Sequence, residues 1–224
     1  MTISQIINEE VYIMIVKYTE EREMTWEEIR EAAAAKGLKS GTRIPITLKT
    51  GEELEVDVTY DEHGKAFFVF HNCLKEPRPM NKRKTNKDGW AASDLREEAN
   101  GPILESFPDE LRDMIAPTKI VQVINGKRIE CEDKLFCLSF TQIAGKIWQG
   151  INDMEPEDTQ LDIFTGERSR VKECGEHGTF PWWERSPSIN SAHSFMYCYS
   201  SGTPSYSSNA HNAYGVCLGF CLNP

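Results

Sequence analysis

The sequence predicts an α+β domain, residues 41–224, preceded by a helical segment, residues 1–40. Three observations carry that prediction. A capping box at Thr25-Trp26-Glu27-Glu28 opens a helix. From Gly41 onward, short runs alternate apolar and polar residues. The last run, Gly215-Val216-Cys217-Leu218-Gly219-Phe220-Cys221-Leu222, is apolar and reads as a strand.

In the capping box the Thr25 hydroxyl can accept from the Glu28 amide while the Glu28 carboxylate reaches back. An alanine run, residues 32–35, follows, and Lys36-Gly37 supplies a cationic end and a C-cap. The earlier run Val11-Tyr12-Ile13-Met14-Ile15-Val16 is ambiguous between helix and strand. Ile44, Ile46 and Leu48 alternate with polar residues, and Pro45 within that run marks an edge strand. Thr50-Gly51-Glu52 turns into a second alternating run, Leu54, Val56 and Val58, and residues 66–70 make a third strand. Ser93 caps a helix beginning at Asp94. Pro108-Asp109-Glu110 opens another that Pro117 stops, and Asn125-Gly126 signals a two-residue hairpin. Residues 135–139 read as a further strand and residues 151–180 as long loops.

At 224 residues the chain suits one large domain, with or without a small appendage. A net charge of −10 argues against nucleic acid or an anionic membrane as partner. The basic run Lys82, Arg83, Lys84 and Lys87 is the local exception and reads as solvated loop. No stretch reaches the ~20 apolar residues of a membrane span. The first ten residues lack a basic stretch followed by an apolar core, so the expectation is synthesis in a bacterial cytoplasm without a secretory leader. Seven cysteines (73, 131, 137, 174, 198, 217, 221) form no framework pattern and read as reduced, buried thiols. Cys174 and His177 have the spacing of half a zinc site, but no second half follows. Asp153, Glu155, Glu157 and Asp158 read first as a solvated acidic loop and second as a calcium site. Neither cofactor nor metal is expected.

Residues 188–214 differ in kind. They contain no Lys, Arg, Asp, Glu, Gln or Trp, yet eight Ser, four Tyr, three Asn and two His. A low-complexity linker rarely carries so many tyrosines or runs directly into an apolar strand. Phe195, Tyr197 and Tyr199 have strand spacing, so a β-rich core segment with serine loops is the competing account. Tyrosine with serine, glycine and asparagine is also the composition of antibody binding loops. Rigid amphipathic rings there supply contact area at low entropic cost, and a buried tyrosine ring contributes on the order of 1.5–3 kcal/mol. The candidate ligand-binding residues are Ser188, Asn190, Ser191, His193, Tyr197, Tyr199, Thr203, Tyr206, Ser208, Asn209, His211, Asn212 and Tyr214. All but Ser188 and Thr203 are expected to be substantially exposed and clustered on one face.

Pro181-Trp182-Trp183-Glu184-Arg185-Ser186-Pro187, the tract after it and Gly215-Val216-Cys217-Leu218-Gly219-Phe220 together resemble the terminal signature of variable proteins diversified by retroelements in phages and prophages of gut bacteria. Upstream, Cys73-Leu74, Pro79-Met80-Asn81, Gly89-Trp90, Ser93-Asp94-Leu95-Arg96 and Glu132-Asp133-Lys134-Leu135-Phe136 extend the likeness, which spans roughly residues 41–224. Glu184 departs from the leucine usual at its position. The resemblance implies a C-type-lectin-like fold in which Trp182, Trp183 and Arg185 are buried framework. It also implies a hypervariable surface without catalysis, and a prophage-encoded or virion-associated protein. The ligand would be a protein or glycan, placed on a cell surface, and residues 1–40 are the candidate contact for a homo-oligomer. Such retroelements randomise adenines in Asn-type codons, which cannot become Lys, Glu, Gln, Met or Trp. Residues 188–214 obey that restriction except at Met196, which reads as fixed scaffold.

Two other functions stand beside this one. A structural phage component could use the serine-rich segment only for packing. The same fold class includes formylglycine-generating oxidases, which use a cysteine pair, and Cys217 and Cys221 share a face of the last strand. Their apolar neighbours raise thiol pKa and suit inert packing. The sequence holds no Gly-x-Ser-x-Gly, no His-Glu-x-x-His and no phosphate-cradling loop, so no enzyme is expected.

Overall fold

Helix α1 (Trp26–Ala34) begins where the sequence places it: the Thr25 hydroxyl accepts from the Glu28 amide, and the Glu28 carboxylate accepts from the Thr25 amide at 2.9 Å. The computed structural model describes residues 24–223. The ambiguous run at residues 11–16 lies outside the described residues, as does most of the segment assigned an oligomer contact. At the other end of α1 the left-handed residue is Lys36 (φ 54°), not Gly37. Lys36 and Gly37 donate their amides to Ala33 and Ala32, so the orphan carbonyls of the last turn are satisfied although a side chain occupies the strained position. Ile29 and Ala33, four apart, enter the core, and the Trp26 ring meets Phe68 edge-on at 6.4 Å.

Three strands follow as an antiparallel meander: β1 (Arg43–Thr47), β2 (Glu53–Tyr60) and β3 (Ala66–Phe70). Pro45 sits on β1, the edge. After the short β4 (Arg78–Pro79), Ser93 caps α2 (Asp94–Glu98) by accepting from the Arg96 amide. An irregular turn at Ala99–Ile103 contains Pro102 and leads towards α3 (Asp109–Met114). Pro108 takes the N-cap of α3 rather than its first turn. The helix ends before Pro117 because β5 (Ile115–Ala116) is recruited into the main sheet.

Strands β6 (Thr118–Ile124) and β7 (Lys127–Asp133) pair throughout, joined by Asn125 (φ 51°) and Gly126 (φ 74°). Two consecutive left-handed residues are what a two-residue turn needs to match strand twist. Next come β8 (Phe136–Cys137), α4 (Phe140–Ala144) with a capping box at Ser139 and Gln142, and α5 (Gln149–Asn152). The stretch to residue 180 is mainly loop, as expected, with single helical turns at Glu167–Arg170 and Gly175–His177. A three-stranded sheet follows, ordered β11 (Tyr206–Asn209), β10 (Ser194–Cys198), β9 (Trp182–Pro187). Then β12 (Ala213–Tyr214) pairs with β4, and β13 (Leu218–Leu222) completes the main sheet.

That main sheet is six-stranded, antiparallel and curled into a half-barrel, so the protein is α+β. β13 is central, as expected: it pairs with β3 through Phe220 and Phe68, with β8 through Leu218 and Cys137, and with β5 through Cys221 and Ala116. Phe220 stacks on Phe68 at 5.3 Å and meets Phe107 edge-on. Side chains from α1, both sheets and the irregular middle of the chain share one apolar cluster. Among the described residues no helix is long and apolar enough to cross a membrane.

Candidate functional site

Strand β9 supplies the foundation of the candidate site, and every one of its residues is buried. Trp182 and Trp183 are fully buried and donate their indole N–H groups to the carbonyls of Arg170 (2.9 Å) and Arg78 (2.8 Å). The buried Arg185 guanidinium donates to the Cys137 carbonyl at 2.9 Å and to Gln142 Oε1 at 2.7 Å, and pairs with the Asp158 carboxylate. Trp182, Trp183 and Arg185 are thus buried, as the resemblance implies. Ser186 donates to Glu155 Oε1 at 2.7 Å, and Gln122 donates to the Arg185 carbonyl at 3.2 Å. Gln122 also accepts from the Trp90 amide, and the Trp90 indole donates to Asp133, which Arg96 clamps at 2.8 Å. Short motifs far apart in sequence thus form one hydrogen-bonded network beneath β9.

The acidic loop is solvated only in part: Asp153 and Glu157 are exposed as expected, Asp158 is half-buried and Glu155 is buried. Glu155 is buried with its pKa pushed up to about 7, chiefly by burial and against the opposing Arg185 charge, while Glu157 pairs with Arg128 and Asp158 with Arg185. The fold brings a buried arginine over these carboxylates, which composition alone could not reveal. Beside them Glu184 is fully buried, and neither carboxylate oxygen has a hydrogen-bond partner among the described residues. Burial, and then the neighbouring Glu155 charge, holds its pKa well above the usual range.

On this base the tract folds as a turn (188–193), β10, a loop, β11 and β12. Asn190, His193, Tyr199, Tyr206, His211 and Asn212 are exposed; Ser191, Thr203, Ser208, Asn209 and Tyr214 are half-buried. Ser188 and Tyr197 are buried, which corrects the expected exposure of Tyr197. The Tyr197 ring stacks on Tyr214 at 4.6 Å, lies 5.8 Å from Tyr206 and receives Trp183 edge-on, so three neighbours cover it. Burial first, and the Tyr214 hydroxyl next, push its pKa up to about 12. Tyr199 extends the cluster, 5.2 Å from Tyr206, and the Tyr214 hydroxyl donates to Ser208 Oγ at 3.2 Å.

The candidates do not form one uniform patch. In the β10–β11 register Tyr197 faces Tyr206 at one end and Ser194 faces Asn209 at the other, roughly 10 Å away at strand rise. The first end carries the tyrosines and the second the polar turn 188–193. A residue absent from the sequence-based candidates secures that turn. The buried Asn86 side chain donates to the carbonyls of Ser191 (2.7 Å) and Ser194 (2.8 Å), with a longer contact to Ser188, and its own amide donates to the Ala192 carbonyl at 3.1 Å. All these acceptors are backbone, so the latch does not depend on the side chains it holds.

A groove of about 910 Å³ opens between this turn, the loop carrying Lys84 to Lys87 and the Asn125-Gly126 turn. Ile189, exposed at 43%, lies on its wall.

A family model described as a domain of unknown function, DUF6273, matches residues 64–224, from the turn before β3 through the closing strand. The chain belongs to this family. Comparison with curated proteins and with solved structures gives no match. The match takes in every candidate residue and the whole β9 network, so DUF6273 here denotes framework and tract together.

Of the remaining thiols, Cys73 and Cys174 face one another across an isolated β-bridge. Cys217 is buried, its pKa pushed up to about 11 by that burial, and Cys221 is raised for the same reason. Cys174 is buried against the Leu74 carbonyl, whereas His177 lies on the Phe180 ring. Among the described residues no group of three His, Cys, Asp or Glu could hold a metal ion.

Proposed function

We propose that this chain is a non-enzymatic ligand-binding protein of receptor or adhesion type, in which a C-type-lectin-like framework presents residues 188–214 as a hypervariable surface. The observation that carries the reading is the layered arrangement of the tyrosines. Tyr197 and Tyr214 rest on Trp183, and Tyr199 and Tyr206 (44% and 47% exposed) stand outermost. Exposed rings packed against buried ones are already partly ordered, which lowers the entropic cost of using them as contacts. Central aromatics of this kind dominate many interfaces. The codon-restricted composition of the tract supports diversification by a retroelement, with prophage encoding and a cell-surface partner.

The test uses fluorescently labelled protein on a panel of intact gut bacteria and on a glycan array. Wild type should bind at least one member, and Tyr199→Ser/Tyr206→Ser should lose that binding while melting as wild type does. Undiminished binding by that variant would overturn the role given to the outer tyrosines, and wild type that binds no member would favour a structural phage component. At the DNA level, a near-copy of the terminal region differing only at adenines, beside a reverse-transcriptase gene, is the expected companion.

A further inference from the structure

We infer that the groove beside the turn 188–193 is a second subsite that takes the carboxylate or phosphate group of an acidic saccharide. The inference rests on the reading of the tract as a binding surface and names the ligand chemistry of its polar end. Lys84 and Lys87 line the groove, are exposed, and make no ion pair among the described residues. Among the described residues the one acid lining it is Asp153, and His193 adds an imidazole. Two ammonium groups without an ion pair among the described residues thus line one concavity in a chain whose net charge is −10. The opposite wall is the turn itself, with Asn190 and Ser191 offering amide and hydroxyl groups suited to sugar hydroxyls.

Size and field select the ligand class. A half-open groove of about 910 Å³ has room for a short saccharide. Two lysines balance one or two anionic charges, whereas a nucleic acid would meet the repulsive field of the whole chain. The Asn86 latch fixes the turn against the basic loop through backbone carbonyls. The cationic wall is thus constant while the side chains of the opposite wall change, so the anionic group would be the shared feature of the ligands and the sugar the variable one.

The experiment compares trigalacturonate with its uncharged methyl ester, sialyllactose with lactose, and a glycerol-phosphate oligomer with glycerol, together with a short oligothymidylate, on the full chain. At least one acidic probe should bind more tightly than its uncharged partner. Lys84→Gln/Lys87→Gln should weaken that binding roughly tenfold, consistent with two exposed charge contacts, at unchanged melting temperature. Three results would overturn the inference: no acidic probe preferred over its partner, full binding retained by the double variant, or oligothymidylate bound most tightly. If neutral glycans or cells still bind through Tyr199 and Tyr206, this inference falls and the binding-surface reading stands. If wild type binds no probe and no cell, both fall.

Discussion

Strand β9 and the tract after it are adjacent in sequence and opposite in physical character. Within Trp182–Pro187 every side chain is buried, and the indoles, Arg185 and Ser186 hydrogen-bond to partners far away in sequence. In residues 188–214 the exposed and half-buried polar groups bond mostly to near neighbours, as Ser191 does to Ser194 and Asn212 to Ser208. The first region is constrained by the rest of the molecule; the second is held through its backbone. Side chains can therefore change in one region at little cost, and almost nowhere in the other.

The largest effect is expected at Trp183. Removing a fully buried indole that also supports Tyr197 and Tyr214 should cost roughly 3–5 kcal/mol in Trp183→Ala. Chemical denaturation checks this, and an unchanged midpoint would break the contrast. Glu184 sharpens it through pH. Its folded pKa is raised, so its contribution to stability is present below the unfolded carboxylate range, near 4.5, and is lost as pH rises towards the folded value. Glu155 adds the same sign between about 4.5 and about 7. Wild type should lose stability relative to Glu184→Leu by about 1.4 kcal/mol per pH unit above that range, and melts at pH 5 and 8 measure it. A parallel pH dependence of the two proteins would show that Glu184 ionises freely.

Asn86→Ala comes next. It removes the Asn86 donor from the Ser191 carbonyl and leaves the Ser194 carbonyl with the Ser188 amide alone, and should cost about 1–3 kcal/mol. Hydrogen exchange should rise locally across residues 188–194; uniform protection there would mean the turn holds itself. The smallest effect belongs to the outer tyrosines, where Tyr199→Ser and Tyr206→Ser should each stay near ±0.5 kcal/mol, a range typical of surface positions. Adding Tyr197→Ser should cost far more, because that ring is covered on three sides. Equal costs at Tyr197 and Tyr206 would abolish the distinction between inner and outer rings.

Local chemistry was legible in the sequence. The Thr25 capping box, the Asn125-Gly126 turn, the Ser93 cap and the edge proline all depend on a few consecutive residues, and the structure places each where expected. Exposure within the tract was legible only in part. Composition marks Tyr197 and Tyr206 alike, whereas depth depends on which neighbours a ring meets across β10 and β11. In the acidic loop the exposure of Asp153 and Glu157 was legible but the burial of Glu155 was not, because its partners Ser186 and Gln122 come from other segments. Asn86 carried no signal at all: one asparagine in a basic loop gives no hint of the carbonyls it will meet.

The position of β13 in the sheet has a consequence for synthesis. β3, β5 and β8 all wait for a partner that the ribosome makes after the entire tract. A nascent chain arrested anywhere in residues 188–214 cannot close its half-barrel, and a frameshift there replaces β13 with an unrelated peptide. A chain carrying such an error would leave β3, β5 and β8 without their shared neighbour, with the apolar half-barrel open to proteolysis.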